Sequence, residues 1–158
     1  MKQNEKPFVI ALDLGGTNSV FGIVDSSGEI KASTSIKTQA YTTVEEHVAA
    51  SCQAVMTIVE ETGGMENIKA MGIGAPSANY YRGTIENAAN LVWGKGIVPL
   101  AKLFEDKLGV PVALTNDANA AALGEKWYGV AQGMNNFVEI TLGTGVGSGI
   151  VVNGQLLY

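Results

Sequence analysis

The chain of 158 residues has one cysteine, Cys52, and one histidine, His47. A lone cysteine excludes an intramolecular disulfide. With no secretory leader pattern at the start, the expected compartment is the cytoplasm. This inventory cannot assemble a Cys/His cluster, so zinc is not expected within the chain. Charge is sparse too: charged residues make up 16%, the formal net charge is -5, and no block of like charges occurs. Binding along a phosphate backbone needs clustered Lys and Arg, which argues against nucleic acid as a main partner. No apolar run approaches the roughly 20 residues of a membrane span, so no membrane partner is expected either. What is plentiful is hydrophobic residues, at 46%, and glycine, with 20 residues concentrated in turns between apolar runs. The composition is that of a globular protein. The length suffices for one domain with a real core, or one domain and a piece of another.

Phe8 to Leu14 reads as a strong strand, Gly15-Gly16 as a tight turn, and Ser19 to Val24 and Glu29 to Lys37 as two further strands. The turns are too short for a parallel crossover, so the opening is an antiparallel meander. Thr43 to Thr62 has Val44, Val48, Val55 and Val59 at helical spacing, and Thr43 with Glu46 fits a capping box. Ile68 to Gly74 predicts a fourth strand, running into Ala75-Pro76-Ser77. Residues 78–96 are polar and turn-rich, a long loop of the kind that is usually functional. Pro99 to Leu108 predicts a helix, Val112 to Thr115 a fifth strand, and Asn119 to Tyr128 a third helix.

The chain then restarts. Phe137 to Leu142 is a strand, Gly143 to Gly149 a glycine-rich turn, and Ile150 to Val152 a strand; Asn153-Gly154 is a type I′ hairpin signal before a last strand from Gln155. Asp13-Leu-Gly-Gly-Thr17 aligns without a gap on Thr141-Leu-Gly-Thr-Gly145, which reads as an internal duplication. The expected organisation is one α/β domain over residues 1–133, then the first strands of a second, truncated domain over residues 134–158.

The chemistry concentrates where apolar strands end. Asn116, Asp117 and Asn119 stand between the fifth strand and the third helix, at the carboxyl end where α/β domains bind ligands. A carboxylate there can take a proton from a substrate hydroxyl; equally, Asp117 or Asn119 can serve only as a helix N-cap. Asp13 followed by Gly15-Gly16-Thr17 places a carboxylate beside backbone N–H groups that can approach phosphate oxygens, or it is an ordinary hairpin with a polar tip. Such a carboxylate can hold Mg²⁺, usually through water. Gly143 to Gly149 is no Rossmann fingerprint, because Ser148 stands where the third glycine belongs and a strand follows. No P-loop pattern is present. His47 and Cys52 share the first helix, away from every motif, and are not expected to be catalytic. Trp93, Tyr80 and Tyr81 can stack on a sugar ring or pack on their own domain.

Four runs together, Asp13-Leu-Gly-Gly-Thr17, Asn87-Ala-Ala-Asn90-Leu-Val-Trp93, Asn116-Asp117-Ala-Asn119 through Glu125, and Leu142 through Ile150, resemble the ROK family of repressors and sugar kinases. That family belongs to the actin-like ATPase superfamily. The resemblance implies an actin-like, ribonuclease H-like α/β fold with a mixed five-stranded sheet. It implies ATP-dependent phosphorylation of a hexose, most simply glucose to glucose 6-phosphate, with Asp117 as general base. Ser77, Asn90, Asn116 and Asp117 would bind the sugar. Asp13, Gly15, Gly16, Thr17, Asn18, Gly143, Thr144 and Gly145 would bind ATP phosphates, with Asp13 on Mg²⁺ through water. The family usually has glycine where this chain has Ser77. Its later sugar and zinc motifs, and an adenine pocket, would lie beyond Tyr158, so the isolated chain is expected to be inactive.

Two other functions fit the same runs. A sugar-responsive regulator of the family would carry a DNA-binding domain ahead of the first glycine turn, where only twelve residues precede Asp13. An actin-like ATPase without a sugar has no use for Asn90 with Asn116-Asp117. The apolar strands from Phe137 to Tyr158 are expected to lack sheet partners and to drive formation of a homodimer.

Overall fold

The computed structural model describes residues 6–143 and 145–158. Three antiparallel strands open it: β1 (Phe8–Leu14), β2 (Asn18–Asp25) and β3 (Ile30–Lys37). A long helix, α1 (Val44–Glu61), crosses to β4 (Ile68–Ala75), which pairs parallel with β1. After three short strands, β5 (Ala78–Asn79), β6 (Thr84–Glu86) and β7 (Ile97–Val98), the helix α2 (Leu100–Leu108) leads to β8 (Val112–Asn116), parallel to β4. The main sheet is therefore mixed and five-stranded, in the order β3-β2-β1-β4-β8. Then come α3 (Asp117–Tyr128) and a second meander, β9 (Phe137–Leu142), β10 (Val146–Val152) and β11 (Gln155–Leu156). This is the α/β architecture expected from the sequence.

Alternation decides which face of the sheet each helix covers. Ile10, Leu12 and Leu14 of β1, Met71 and Ile73 of β4 and Leu114 of β8 point to one side and are fully buried. There they join Val48, Val55 and Val59 of α1 and Leu100 and Phe104 of α2 in one core. The capping box at the start of α1 forms as expected: Glu46 N–H donates to Thr43 Oγ1 at 3.2 Å, and the Glu46 carboxylate accepts from Thr43 N–H at 3.2 Å. Residues 78–96 are less loop-like than their composition implies. β5, β6 and β7 pair into a small antiparallel sheet of their own.

His47 is completely buried in this core, and burial holds its imidazole well below its ordinary value, at about 4. A base depressed on folding binds fewer protons in the native state than in the unfolded one. Stability is then fully present above the unfolded value of about 6.5 and is lost as pH falls toward 4. Denaturant titrations should show a loss of about 2 kcal/mol between pH 7 and pH 5 from this group. His47→Gln should flatten that part of the profile.

The opposite face of the main sheet carries small residues, and α3 lies on it: a Cβ placed on Gly74 would stand 3.1 Å from Ala120 Cβ. The second meander covers the other side of α3. Cβ atoms on Gly147 and Gly149 would run into Ala118 and Ala122, the two buried alanines of α3. One expectation is corrected here. The glycine-rich stretch is not a turn as far as Gly149: β10 begins at Val146, and Gly147 and Gly149 are extended residues whose missing side chains admit the helix. As expected, the last strands pair only with one another among the described residues, and one face of β9–β11 is packed on α3. Asn153 and Gly154 do form the type I′ turn, with φ of 51° and 77°.

The outward face of that meander stays uncovered. Val138, Ile140, Leu142, Val146, Ile150 and Val152 are all exposed. A contiguous apolar face of this kind on a free chain favours association. Light scattering at micromolar concentration should report a species heavier than the 16.5 kDa monomer. Deleting residues 136–158 should abolish it; a monomer both with and without these residues would contradict the assignment of this face.

Candidate active site

The carboxyl ends of β1, β4 and β8 meet at one edge of the main sheet. Asp13 comes from β1, and Asp117 follows β8 as the first residue of α3. Both line a cleft of about 710 Å³. The Asp13 carboxyl is pushed up, first by burial and then by the facing charge of Asp117. Asp117 is exposed at the cleft, with Oδ1 accepting from Ala118 N–H at 2.8 Å. The cap of α3 is Asn116, whose Oδ1 accepts from the same N–H at 3.0 Å. Asn116 thus caps the helix through Oδ1, while Asp117 faces the cleft. Asn119 lies inside the helix and faces a neighbouring hollow.

That hollow, about 470 Å³, shares Tyr80, Thr115 and Tyr158 with the first cleft. Ser77, Ala78, Asn79, Tyr81, Glu86 and Asn119 complete it. Ser77 has φ of 52°, a left-handed conformation that glycine adopts freely and serine does not. This is the physical reason a glycine suits the position. Glu86 Oε1 accepts from Asn79 Nδ2 at 3.0 Å and from Thr84 Oγ1 at 2.9 Å, with Arg82 Nη1 at 3.6 Å. These donors hold the Glu86 carboxyl below its ordinary value, the Thr84 hydroxyl foremost. Tyr80 stacks on Tyr158 with ring centroids 3.9 Å apart and planes 10° apart. Asn79, Glu86 and Tyr158 escaped the sequence reading. The signal for Asn79 and Glu86 was weak, since the strands β5 and β6 that carry them are only two and three residues long, and Tyr158 arrives by a long-range contact with Tyr80.

Asn90 and Asn116 line neither hollow. Asn90 is exposed on the loop between β6 and β7, and its backbone packs against the first glycine turn: a Cβ on Gly16 would stand 2.7 Å from Asn90 O. Only glycine permits that approach. Within the turn, Gly15 N–H donates to Asn18 O at 2.9 Å, and Thr38 N–H donates to Thr17 O at 3.0 Å. Gly15 N–H is therefore engaged in closing the turn, whereas among the described residues the Gly16 and Thr17 N–H groups have no partner. Lys37 Nζ donates to Asn18 Oδ1 at 2.9 Å, which fixes a cation at the rim. The sequence reading missed Lys37, because it is brought there by the β2–β3 pairing, Asn18 opposite Lys37. In the second turn Gly143 N–H donates to Gly145 O at 2.9 Å. Thr144 lies outside the described residues.

The two facing carboxylates fit a hydrated divalent cation. Asp13 carries excess negative field from Asp117, which a cation at the cleft would relieve. Among the described residues no cluster of three or more His, Cys, Asp or Glu side chains gathers to cage a metal, so such an ion would keep most of its water.

The model of the ROK family matches residues 9–158. The chain belongs to the ROK family. It is similar to a glucokinase of Streptomyces coelicolor, 39% identical over 148 residues, covering 93% of this chain and 44% of that one. The crystal structure of a ROK family glucokinase from Streptomyces griseus in complex with glucose and AMPPNP superposes with a TM-score of 0.81 at 38% identity, covering 95% of this chain and 46% of that one. A xylose repressor of Caldicellulosiruptor bescii is 37% identical over 92 residues, 58% of this chain and 23% of the repressor. The chain thus spans under half the length of the glucokinases it matches. No helix among the described residues is long and apolar enough to cross a membrane.

Proposed function

We propose that this ROK chain forms the sugar and first phosphate wall of an ATP-dependent hexose kinase, with glucose the favoured substrate. The observation that carries the reading is the pair Asp13 and Asp117, facing one cleft at the carboxyl ends of parallel strands beside a glycine turn. The similarity to a glucokinase solved with glucose and AMPPNP supports it. In this reading residues 1–133 form the first domain, and residues 134–158 begin a second, bringing the turn at Gly143 to Gly145 toward the phosphates.

Asp117 accepts the proton of the attacking sugar hydroxyl through Oδ2, since Oδ1 is held by Ala118 N–H. The hydroxyl oxygen forms a bond to the γ-phosphorus as the bond from that phosphorus to the ADP oxygen breaks. Gly16 and Thr17 N–H groups and the Lys37 ammonium face the developing phosphate charge. Asp13 would hold Mg²⁺ through water, and the ion would supply charge neutralisation on the transferring group. Ser77 and Asn119 offer polar groups to the sugar, and Tyr80 offers a ring to its apolar face. Asn90, on the loop packed against the phosphate turn, is a further candidate for a sugar contact. A cytoplasmic homodimer is the proposed state of the whole enzyme.

A sugar-responsive regulator is the second reading, favoured by the similarity to the xylose repressor. Sugar-dependent ADP release separates the two. The polypeptide extended to the length of the glucokinases should release ADP from ATP only when a hexose is present. Saturable hexose binding without ADP release would favour the regulator.

A further inference from the structure

The first helix carries polar groups into the core for which neither the phosphate turn nor the sugar hollow has direct use. His47 Nε2 is 2.9 Å from Ser19 Oγ, and Ser19 Oγ is 2.8 Å from Thr38 Oγ1. Thr38 N–H in turn holds Thr17 O. Ser19, Thr38 and His47 are all buried. On its other side the imidazole packs on Trp93, with ring centroids 5.1 Å apart and planes tilted by 35°. Trp93 is three residues past Asn90. We propose that His47 is a positioning residue that ties the first glycine turn, through Ser19 and Thr38, to the Asn90 loop, through Trp93, so that the two move as one body.

The chemistry argues against His47 as mere filling. A leucine would occupy similar space without desolvating an imidazole, and two hydroxyls would not need burying beside it. His47 Nδ1, Ser51 Oγ and Trp93 Nε1 are also buried and find no hydrogen-bond partner among the described residues. Ser51 stands one helical turn from His47, so these two residues share one side of α1. Polar groups this deep are retained where they specify an arrangement that apolar packing leaves free to slide. The arrangement specified here joins two loops that also touch at the surface, where Gly16 meets Asn90.

That these loops serve phosphate and sugar rests on the proposed function. The union itself does not, and amide hydrogen exchange on the isolated chain reads it directly. Gly15 and Thr38 amides report the turn, and Ala88 and Gly94 amides, hydrogen-bonded to Gly94 O and Leu91 O, report the loop. In His47→Leu both sets should exchange about tenfold faster or more, relative to the Met71 amide in the sheet. In His47→Gln, where an amide can still bond Ser19 but no ring meets Trp93, the turn should stay protected while the loop accelerates. Val55→Ala, a cavity on the same helix away from the seam, should accelerate neither set selectively. Acceleration confined to α1 in His47→Leu, or the same pattern in Val55→Ala, would overturn the proposal. So would equal loss in both sets for His47→Gln, and that variant decides alone if leucine prevents folding. The outcome is independent of whether a hexose is ever phosphorylated.

Discussion

In the polypeptide extended to the length of its glucokinase relatives, Asp117→Asn is expected to lower hexose phosphorylation by about 10²–10⁴-fold while nucleotide binding persists. Asparagine is the informative replacement. Its side-chain oxygen keeps the bond from Ala118 N–H, so the first turn of α3 stays in place beside the Asn116 cap. What disappears is the ability to accept a proton. Asp13 loses a like charge at the same time, so its carboxyl should move back toward the ordinary range as the Asp117 repulsion is removed. A coupled assay with saturating hexose separates the two roles. A large fall in kcat with little change in the KM for ATP marks a general base. Activity within a few-fold of wild type would remove Asp117 from that role.

The second large effect concerns how the last strands are held. Gly149→Val is expected to detach the β9–β11 meander from α3. A Cβ at Gly149 would already stand 2.7 Å from Ala118 O and collide with Ala122 Cβ, both on a helix that is itself wedged against Gly74. Neither neighbour is the flexible end of a long side chain, so the strand must move away. Overpacking of this kind costs about 1–3 kcal/mol for small additions, and valine adds two further methyl groups. The predicted signature is local: fast exchange in β9 and β10, preserved protection in β1, β4 and β8, and stronger association through the freed apolar strands. Gly124→Ala is the control, because a Cβ there meets nothing within 4 Å. Equal exchange in both variants would mean that the glycines of β10 are not what seats the meander.

Much of this architecture was legible before the structure. Short apolar, β-prone runs located β1 and β9 to the residue, and helical spacing with a capping box located α1. The resemblance carried by Asp13, Asn116-Asp117 and the glycine runs led to the fold. The errors have particular physical causes. Gly147 and Gly149 look like turn residues in one dimension, because glycine serves both a bend and a close helix–strand contact. The alanines of α3 read as helix propensity alone; in three dimensions Ala118 and Ala122 are thin enough to sit against the meander while Ala120 faces Gly74. Asn116 also caps α3, which its sequence position did not single out: its Oδ1 accepts from a backbone N–H at the helix start. Lys37, Glu86 and His47 were invisible as neighbours of the site. Each reaches its place through strand register or a long-range packing contact, which no local pattern records.

The most direct test of the central reading is identification of the phosphorylated product. ³¹P NMR of the extended polypeptide with ATP, Mg²⁺ and glucose should show a phosphomonoester on the sugar growing as ADP appears. The isolated chain and the Asp117→Asn variant of the extended polypeptide should show no appreciable product on the same timescale. Appearance of inorganic phosphate and ADP with no sugar phosphate, at a rate indifferent to glucose, would contradict the reading.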